Sequence, residues 1–178
     1  IIKDAFKSFD GVKGRLEKID LFEGWGFAVF IDYAHTPDAL KKLLDTVNGF
    51  KKPNQRVVLL FGCGGDREKE KRKIMGKIAV ENADYVIVTS DNPRSENPNV
   101  IINEILEGIK NANNFAVIPE RKKAIEYAIA TAKKNDIIIL AGKGHENYEI
   151  NANGREPFDE RDILFALYRK YYERKCMD

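Results

Sequence analysis

Asp91, Asn92, Pro93 and Arg94 stand in one run behind Thr89-Ser90, and together they supply a carboxylate, an amide, a fixed φ and a guanidinium fork. A fork takes a carboxylate through two parallel hydrogen bonds, and a carboxylate takes an ammonium. The run could therefore grip a small zwitterion. The same residue types also make an ordinary capped turn, because Asn-Pro and Asp-Asn are common turn pairs. Its position bears on the choice. It follows the apolar run Tyr85-Val86-Ile87-Val88 and precedes a helical pattern from Pro98. That is the C-terminal end of a parallel strand, where open α/β sheets bind ligands.

Two more loops of this kind follow apolar runs. Gly62-Cys63-Gly64-Gly65-Asp66-Arg67 comes after Val57 to Phe61, and Ala141-Gly142-Lys143-Gly144-His145-Glu146 comes after Ile137 to Leu140. Glycines there let backbone approach a ligand closely. Arg67, Arg94, Asp91 and Glu146 would converge as a mixed-charge pocket, which favours an amino acid over a nucleotide. Gly-x-Gly-Gly lacks the third glycine of a dinucleotide fingerprint, and Gly142-Lys143-Gly144-His145 lacks the first glycine and the Ser or Thr of a phosphate loop. His35 either bonds local backbone or touches nucleotide or phosphate, and His145 reads as structural. Two lone histidines make no metal site. Cys63 reads as a small residue in a tight turn, and Lys69, Lys71, Arg72 and Lys73 as a solvated helix face.

The elements that must position these loops alternate. Gly14 to Ile19 and Phe27 to Asp32 form a hairpin around the turn Glu23 to Gly26. Thr36 caps a helix with Pro37 first, burying Leu40, Leu43, Leu44 and Val47 and stopped by Asn48-Gly49. The wholly apolar runs Val57 to Phe61, Tyr85 to Val88, Phe115 to Ile118 and Ile137 to Leu140 are strands covered on both faces. The helices between them bury Ile74, Met75, Ile78 and Ala79; Ile102, Ile105, Leu106 and Ile109; and Ala124, Ile125, Ala128, Ile129 and Ala132. Tyr148 to Ile150 and Arg155 to Phe158 are short edge strands. Asp159 caps a last helix that packs Phe165, Leu167, Tyr168, Tyr171 and Tyr172. The fold expected is α/β: a doubly wound, mainly parallel Rossmann-like sheet with an N-terminal hairpin and helices on both faces. Arg15 and Asp32 lie in the hairpin region, apart from the three loops.

A chain of 178 residues with 43% hydrophobic and 33% charged residues suits one compact domain. Its net charge of +2 argues neither for nor against nucleic acid, and since no basic stripe stands out no nucleic-acid partner is expected. No apolar run reaches the ~20 residues of a membrane span. Cys63 and Cys176 match no zinc spacing and suit a reducing cytoplasm.

The pieces Gly14-Arg15-Leu16-Glu17, Asp32-Tyr33-Ala34-His35-Thr36-Pro37-Asp38, Gly62 to Arg67, Asp91 to Arg94 and Ala141 to Glu146 occur in this order over most of the chain. Together they resemble the C-terminal domain of the Mur ligases, the ATP-dependent amino acid ligases of peptidoglycan synthesis and hence of the cell wall. In that family Asp-Asn-Pro-Arg marks members that add diaminopimelate. Lysine-adding members often differ at its second or fourth position, and here Asn92 and Arg94 keep it intact.

The resemblance implies roles. Arg94 and Arg67 would bind carboxylates of meso-diaminopimelate, and Asp91 and Asn92, with Pro93 between them and Arg94, would orient it. Gly142 would contact it through backbone, Glu146 would take its distal ammonium, and Arg15 and Asp32 would contact ATP on closure. The implied partners are diaminopimelate, ATP with Mg2+, and UDP-N-acetylmuramoyl-L-alanyl-D-glutamate, whose γ-carboxylate is activated as an acyl phosphate. In the family the phosphate loop, magnesium ligands and UDP-sugar site belong to preceding domains. Residues 1–12 thus read as the end of an interdomain linker, and 13–178 as an amino-acid-binding lid, inactive alone. The other readings are a stand-alone amino-acid-binding or regulatory module, and a folylpolyglutamate-synthase-like ligase domain.

Overall fold

The computed structural model describes residues 12–22 and 24–175, with side chains to residue 171. Most of the linker expected over 1–12, Ala5 to Phe9 within it, Glu23 of the turn, the Tyr172 side chain and Cys176 lie outside the described residues.

A six-stranded sheet runs β1 (Glu17–Ile19), β2 (Ala28–Asp32), β6 (Asp136–Ala141), β3 (Arg56–Phe61), β4 (Tyr85–Val88), β5 (Phe115–Val117) across its width. β1 pairs antiparallel with β2, which is the expected hairpin, and all other pairings are parallel. The register sets Asp32 beside Ala141, Leu60 beside Leu140 and Phe61 beside Val88, so these four strands end at nearly the same level. That common edge carries the loops.

The apolar strands bury both faces, and alternate side chains divide between two cores. Val57, Leu59, Phe61, Ile137 and Ile139 meet α1 (Pro37–Phe50), α2 (Glu70–Asn82) and α3 (Pro98–Leu106) on one side. Val58, Leu60, Ile138 and Leu140 meet α4 (Arg121–Ala130) and α5 (Glu160–Lys175) on the other. Strands with no polar face are stable only when helices cover both.

Local signals set most helix starts. Thr36 and Asn97 accept from the backbone N–H groups of Ala39 and Asn99, with Pro37 and Pro98 first in their helices. Asp159 accepts from Arg161 N at 2.9 Å. α1 runs past Asn48-Gly49 to Phe50, because Gly49 keeps a helical backbone there. Ile74 and Phe165, expected in the core, are 45% and 50% exposed. In α2 the inward positions go to Arg72, Met75, Gly76 and Ala79. The two edge strands form instead a separate hairpin, β7 (Tyr148–Asn151) and β8 (Gly154–Pro157), unpaired with the main sheet.

Arg121, at the start of α4, is 2% exposed. Its Nε donates to Glu160 Oε1 at 2.9 Å, while Nη2 and Nη1 donate to the carbonyls of Ala141 at 2.9 Å and Ser90 at 3.3 Å. One guanidinium thus fixes the ends of β4 and β6 to two helices. Breaking a buried pair from one side leaves an uncompensated charge at a cost of about 3–5 kcal/mol. Arg121→Ala should lower the urea unfolding free energy by that amount, and a loss below about 1 kcal/mol would show that the pair does not hold the strand ends.

Candidate functional site

Four strand-end loops, rather than three, enclose one polar cavity. It is lined by Tyr33 and His35 after β2, Gly64 and Arg67 after β3, with Lys71 of α2, Asp91, Asn92 and Arg94 after β4, and Gly142 and Glu146 after β6. Its volume is about 110 Å³. Arg67, Arg94, Asp91 and Glu146, far apart in sequence, therefore meet as the chain pattern implied. Pro93 does not line this cavity. It faces a shallower groove with Pro98 and Pro119, and its carbonyl accepts Glu96 N at 3.0 Å, so its part is to shape the loop.

The floor is built on Lys143, whose side chain is fully buried. Its Nζ donates to Asn92 Oδ1 and Tyr148 O, both at 2.9 Å, and lies 3.7 Å from Asp91 Oδ1 and 3.9 Å from Glu146 Oε2. Burial pushes the ammonium below its ordinary value, and the negative charges of Asp91 and Glu146 oppose that shift. Asn92 is the hub. Its Oδ1 also accepts Ile150 N at 2.9 Å, and its Nδ2 donates to Glu146 Oε2 at 2.8 Å. The amide is thereby oriented, with only N–H left toward the cavity. Asp91 Oδ1 is buried with no hydrogen-bond partner among the described residues. The Lys143 ammonium 3.7 Å away supplies its counter-charge without a hydrogen bond.

Arg94 adopts φ +53 and its N–H donates to Ile150 O at 2.9 Å. Its Nη1 donates to Gly65 O at 2.9 Å and Asn92 O at 3.3 Å, leaving the rest of the fork for a ligand. Side chains crowd two glycines here. A Cβ on Gly64 would lie 2.7 Å from Arg94 Nη1, and one on Gly142, itself at φ +117, 2.7 Å from Asp91 Oδ2.

The wall from β3 is clamped by Arg72, which is fully buried. The helix-face reading is therefore wrong for Arg72: the α2 register turns it inward, where it meets carboxylates. It donates to Glu96 through Nη1 and Nη2 at 2.8 Å each, to Glu104 at 2.5 Å and to Gly64 O at 3.1 Å. Asp66 then takes Ser95 Oγ at 2.7 Å. Lys71 belongs to the cavity rather than to a solvated face.

Arg15 and Asp32 lie closer to the loop after β6 than their place in the hairpin suggested. Asp32 is 9% exposed, and its oxygens accept Leu16 N and Ala34 N at 2.7 Å each. Its carbonyl accepts Gly142 N at 3.0 Å. Asp32 thus fixes the backbone beside Arg15. Exposed Arg15 stands 4.7 Å from the Tyr33 ring centroid, and that ring is 5.0 Å from His145 and 4.5 Å from His35. His35 Nδ1–H donates to Tyr33 O at 2.8 Å, the local backbone bond, while the ring also lines the cavity. Burial, then the charge of Glu146, pushes the Tyr33 phenol up. Arg161 of α5 joins Glu17 to Gly144 O at 3.1 Å and completes the brace on the loop after β6. Cys63 is 3% exposed and burial pushes its thiol up to about 12, so it is inert. Among the described residues no group of three or more His, Cys, Asp or Glu could hold a metal ion.

Arg72, Glu96, Arg121, Glu160 and Arg161, which hold the site, were not singled out from sequence as its supports. Each sits in or beside a helix where a charged residue looks solvated, and only the burial of its neighbours marks it.

Known proteins resemble this chain in sequence and in fold. The family model described as Mur ligase, glutamate ligase domain, matches residues 14–144. The chain is 51% identical over 154 residues to a UDP-N-acetylmuramoyl-L-alanyl-D-glutamate--2,6-diaminopimelate ligase of Caldanaerobacter subterraneus, covering 86% of this chain and 31% of that protein. A solved structure of a UDP-N-acetylmuramoyl-L-alanyl-D-glutamate--2,6-diaminopimelate ligase superposes with TM-score 0.82 at 35% identity, over 95% of this chain and 34% of that one. A bifunctional folylpolyglutamate synthase/dihydrofolate synthase from Yersinia pestis, solved with AMPPNP and Mn ion, shares the fold with TM-score 0.56 at 17% identity, over 76% of this chain and 29% of that one. The chain spans about a third of the length of the curated relative and of the ligase structure it matches.

The Arg72–Glu96 clamp has a pH signature. The guanidinium beside Glu96 holds its carboxyl at about 2, below the ordinary 4.5. A depressed folded value adds stability above the unfolded value, and that stability is lost as pH falls from about 4.5 toward about 2. Glu96→Gln should therefore be less stable at neutral pH and should lose less across that window. Equal pH slopes for both proteins in urea unfolding would contradict the clamp.

Proposed function

The chain belongs to the Mur ligase family, and from that premise we propose that it is the amino-acid-binding domain of a ligase that adds meso-diaminopimelate to UDP-N-acetylmuramoyl-L-alanyl-D-glutamate. The observation that carries this reading is the meeting of two guanidinium forks, Arg67 and Arg94, with two carboxylates, Asp91 and Glu146, in one cavity. Diaminopimelate carries two carboxylates and two amines, so its groups match these in kind and number. The forks take its carboxylates. Asp91, whose Oδ1 already has Lys143 as counter-charge, and the Glu146 oxygen that Asn92 leaves free face the two amino groups. Gly142 lets the ligand backbone lie against the strand end.

ATP and Mg2+ are the co-substrate and metal that the reading requires, and the metal neutralises phosphate charge when bound. Exposed Arg15 fits a phosphate contact on closure. Asp32, with one backbone N–H on each carboxylate oxygen, fits the positioning of Arg15 better than direct ATP binding. The further partners are the preceding domains of the family, and the place of action is the cytoplasm. No helix among the described residues is long and apolar enough to cross a membrane. Phosphoryl transfer needs a phosphate cradle with its magnesium, so the purified chain should turn over no ATP. Measured turnover would contradict its assignment as the amino-acid-binding domain alone.

Lysine lacks only the distal carboxylate, so selection against it must read that group. Removing one partner of a desolvated charge pair costs about 2–5 kcal/mol. In the full-length ligase, Arg94→Ala should raise the KM for meso-diaminopimelate by about 100-fold or more and change lysine use little. Arg94→Lys should recover part of the loss, since an ammonium keeps charge without the fork. An Arg94→Ala protein that still prefers diaminopimelate to the same degree would pass the reading role to Arg67.

A further inference from the structure

We infer that Lys71 holds the phosphoryl group of the activated acceptor carboxyl, and then the departing phosphate, rather than any part of the incoming amino acid. The inference rests on the ligase reading above. Three other lysines in or beside α2 are satisfied by carboxylates: Lys69 by Glu104 at 3.8 Å, Lys73 by Glu70 at 2.6 Å and Lys77 by Glu81 at 3.8 Å. Lys71 has no carboxylate partner among the described residues. It is also half-buried and lines the cavity together with Gly64 and Arg67. A cation partly removed from water without a counter-ion is costly, and an arriving anion removes the cost.

The amino acid does not supply that anion. Its two carboxylates are matched by the two forks, which share one wall: a Cβ on Gly64 would lie 2.7 Å from Arg94 Nη1 and 3.9 Å from Arg67 Cγ. A single ammonium remains, a compact point charge suited to phosphate. His35 lines the same cavity.

The step balances without another reactant. The neutral amine of diaminopimelate donates its lone pair to the acyl carbon and a C–N bond forms. The C–O bond to the phosphoryl oxygen breaks, and its electron pair leaves with the phosphate. The proton lost by nitrogen ends on that phosphate, giving an amide and hydrogen phosphate. Negative charge grows on the leaving oxygens, and Lys71 Nζ stabilises it there. Removing one such donor from an acyl-transfer site typically lowers kcat by about 100-fold or more.

Two measurements decide it. The wild-type chain, Lys71→Met and Lys71→Arg are titrated with inorganic phosphate while amide and lysine side-chain NMR signals are followed. The wild type should show saturable shifts at Lys71 and at Gly64 to Arg67, Lys71→Met should lose them, and Lys71→Arg should keep them. In the full-length ligase, Lys71→Met should lower kcat about 100-fold with the KM for diaminopimelate changed by less than about threefold. It should also weaken product inhibition by phosphate, which a merely structural residue would not affect. No phosphate shifts in the wild type, or a raised KM with unchanged kcat, would overturn the inference. A wild-type full-length protein that fails to use diaminopimelate sinks the ligase reading instead, and the phosphate titration still decides Lys71.

Discussion

The site depends on one buried contact, the Lys143 ammonium on the carboxamide of Asn92. A lysine taken wholly out of water is tolerated only if its protons and charge are met. Here Asn92 Oδ1 and Tyr148 O meet two protons, and Asp91 and Glu146 stand within 4 Å as counter-charges. The consequence runs outward from the amide. With Oδ1 held by Lys143 and by Ile150 N, Nδ2 must face Glu146 and the cavity. The loops after β4 and β6 and the β7–β8 hairpin are therefore one polar unit. A water-filled pocket of the same residues without this floor would have to order each side chain on ligand arrival, at an entropic cost for every one.

Two other buried guanidiniums carry that order into the scaffold. Arg121 reaches the carbonyls at the ends of β4 and β6 from one face of the sheet, and Arg72 reaches Gly64 and Glu96 from the other. The sheet supplies a level edge, and these two residues stop its loops from relaxing. They also hold backbone that would otherwise avoid its geometry. Asp66 and Arg94 sit at φ +52 and +53, a region that costs a non-glycine residue roughly 1–2 kcal/mol. Ser95, Gly65 and Ile150 fix both by hydrogen bonds. Placing the Arg94 fork over Gly64 is what that strain obtains.

The strands and helix starts were legible because they obey local rules. Wholly apolar runs such as Ile137 to Leu140 can only be doubly covered strands, and Thr36-Pro37 and Asn97-Pro98 can hardly be anything but helix starts. The cavity was legible too, since topology sends every parallel strand end to one edge. Tyr33 and His35 were the exception in part, because the strand before them was seen as half of a hairpin rather than as a parallel neighbour of β6. What sequence hid was the supporting charge. Arg72 stands among Lys69, Lys71 and Lys73, and nothing local distinguishes the one that turns inward. Arg121 and Glu160 are 39 residues apart, and each looks like an ordinary first residue of an amphipathic helix. The burial of Asp32 and its bonds to Leu16 and Ala34 were hidden as well, because they depend on how the hairpin folds over it.

The central claim is that this chain carries a preformed cavity whose two forks read two carboxylates. Calorimetric titration of the chain with meso-diaminopimelate and, separately, with L-lysine tests it most directly. The account predicts saturable binding of diaminopimelate and affinity for lysine lower by about 100-fold or more. Equal affinity for the two, or binding of lysine alone, would contradict it.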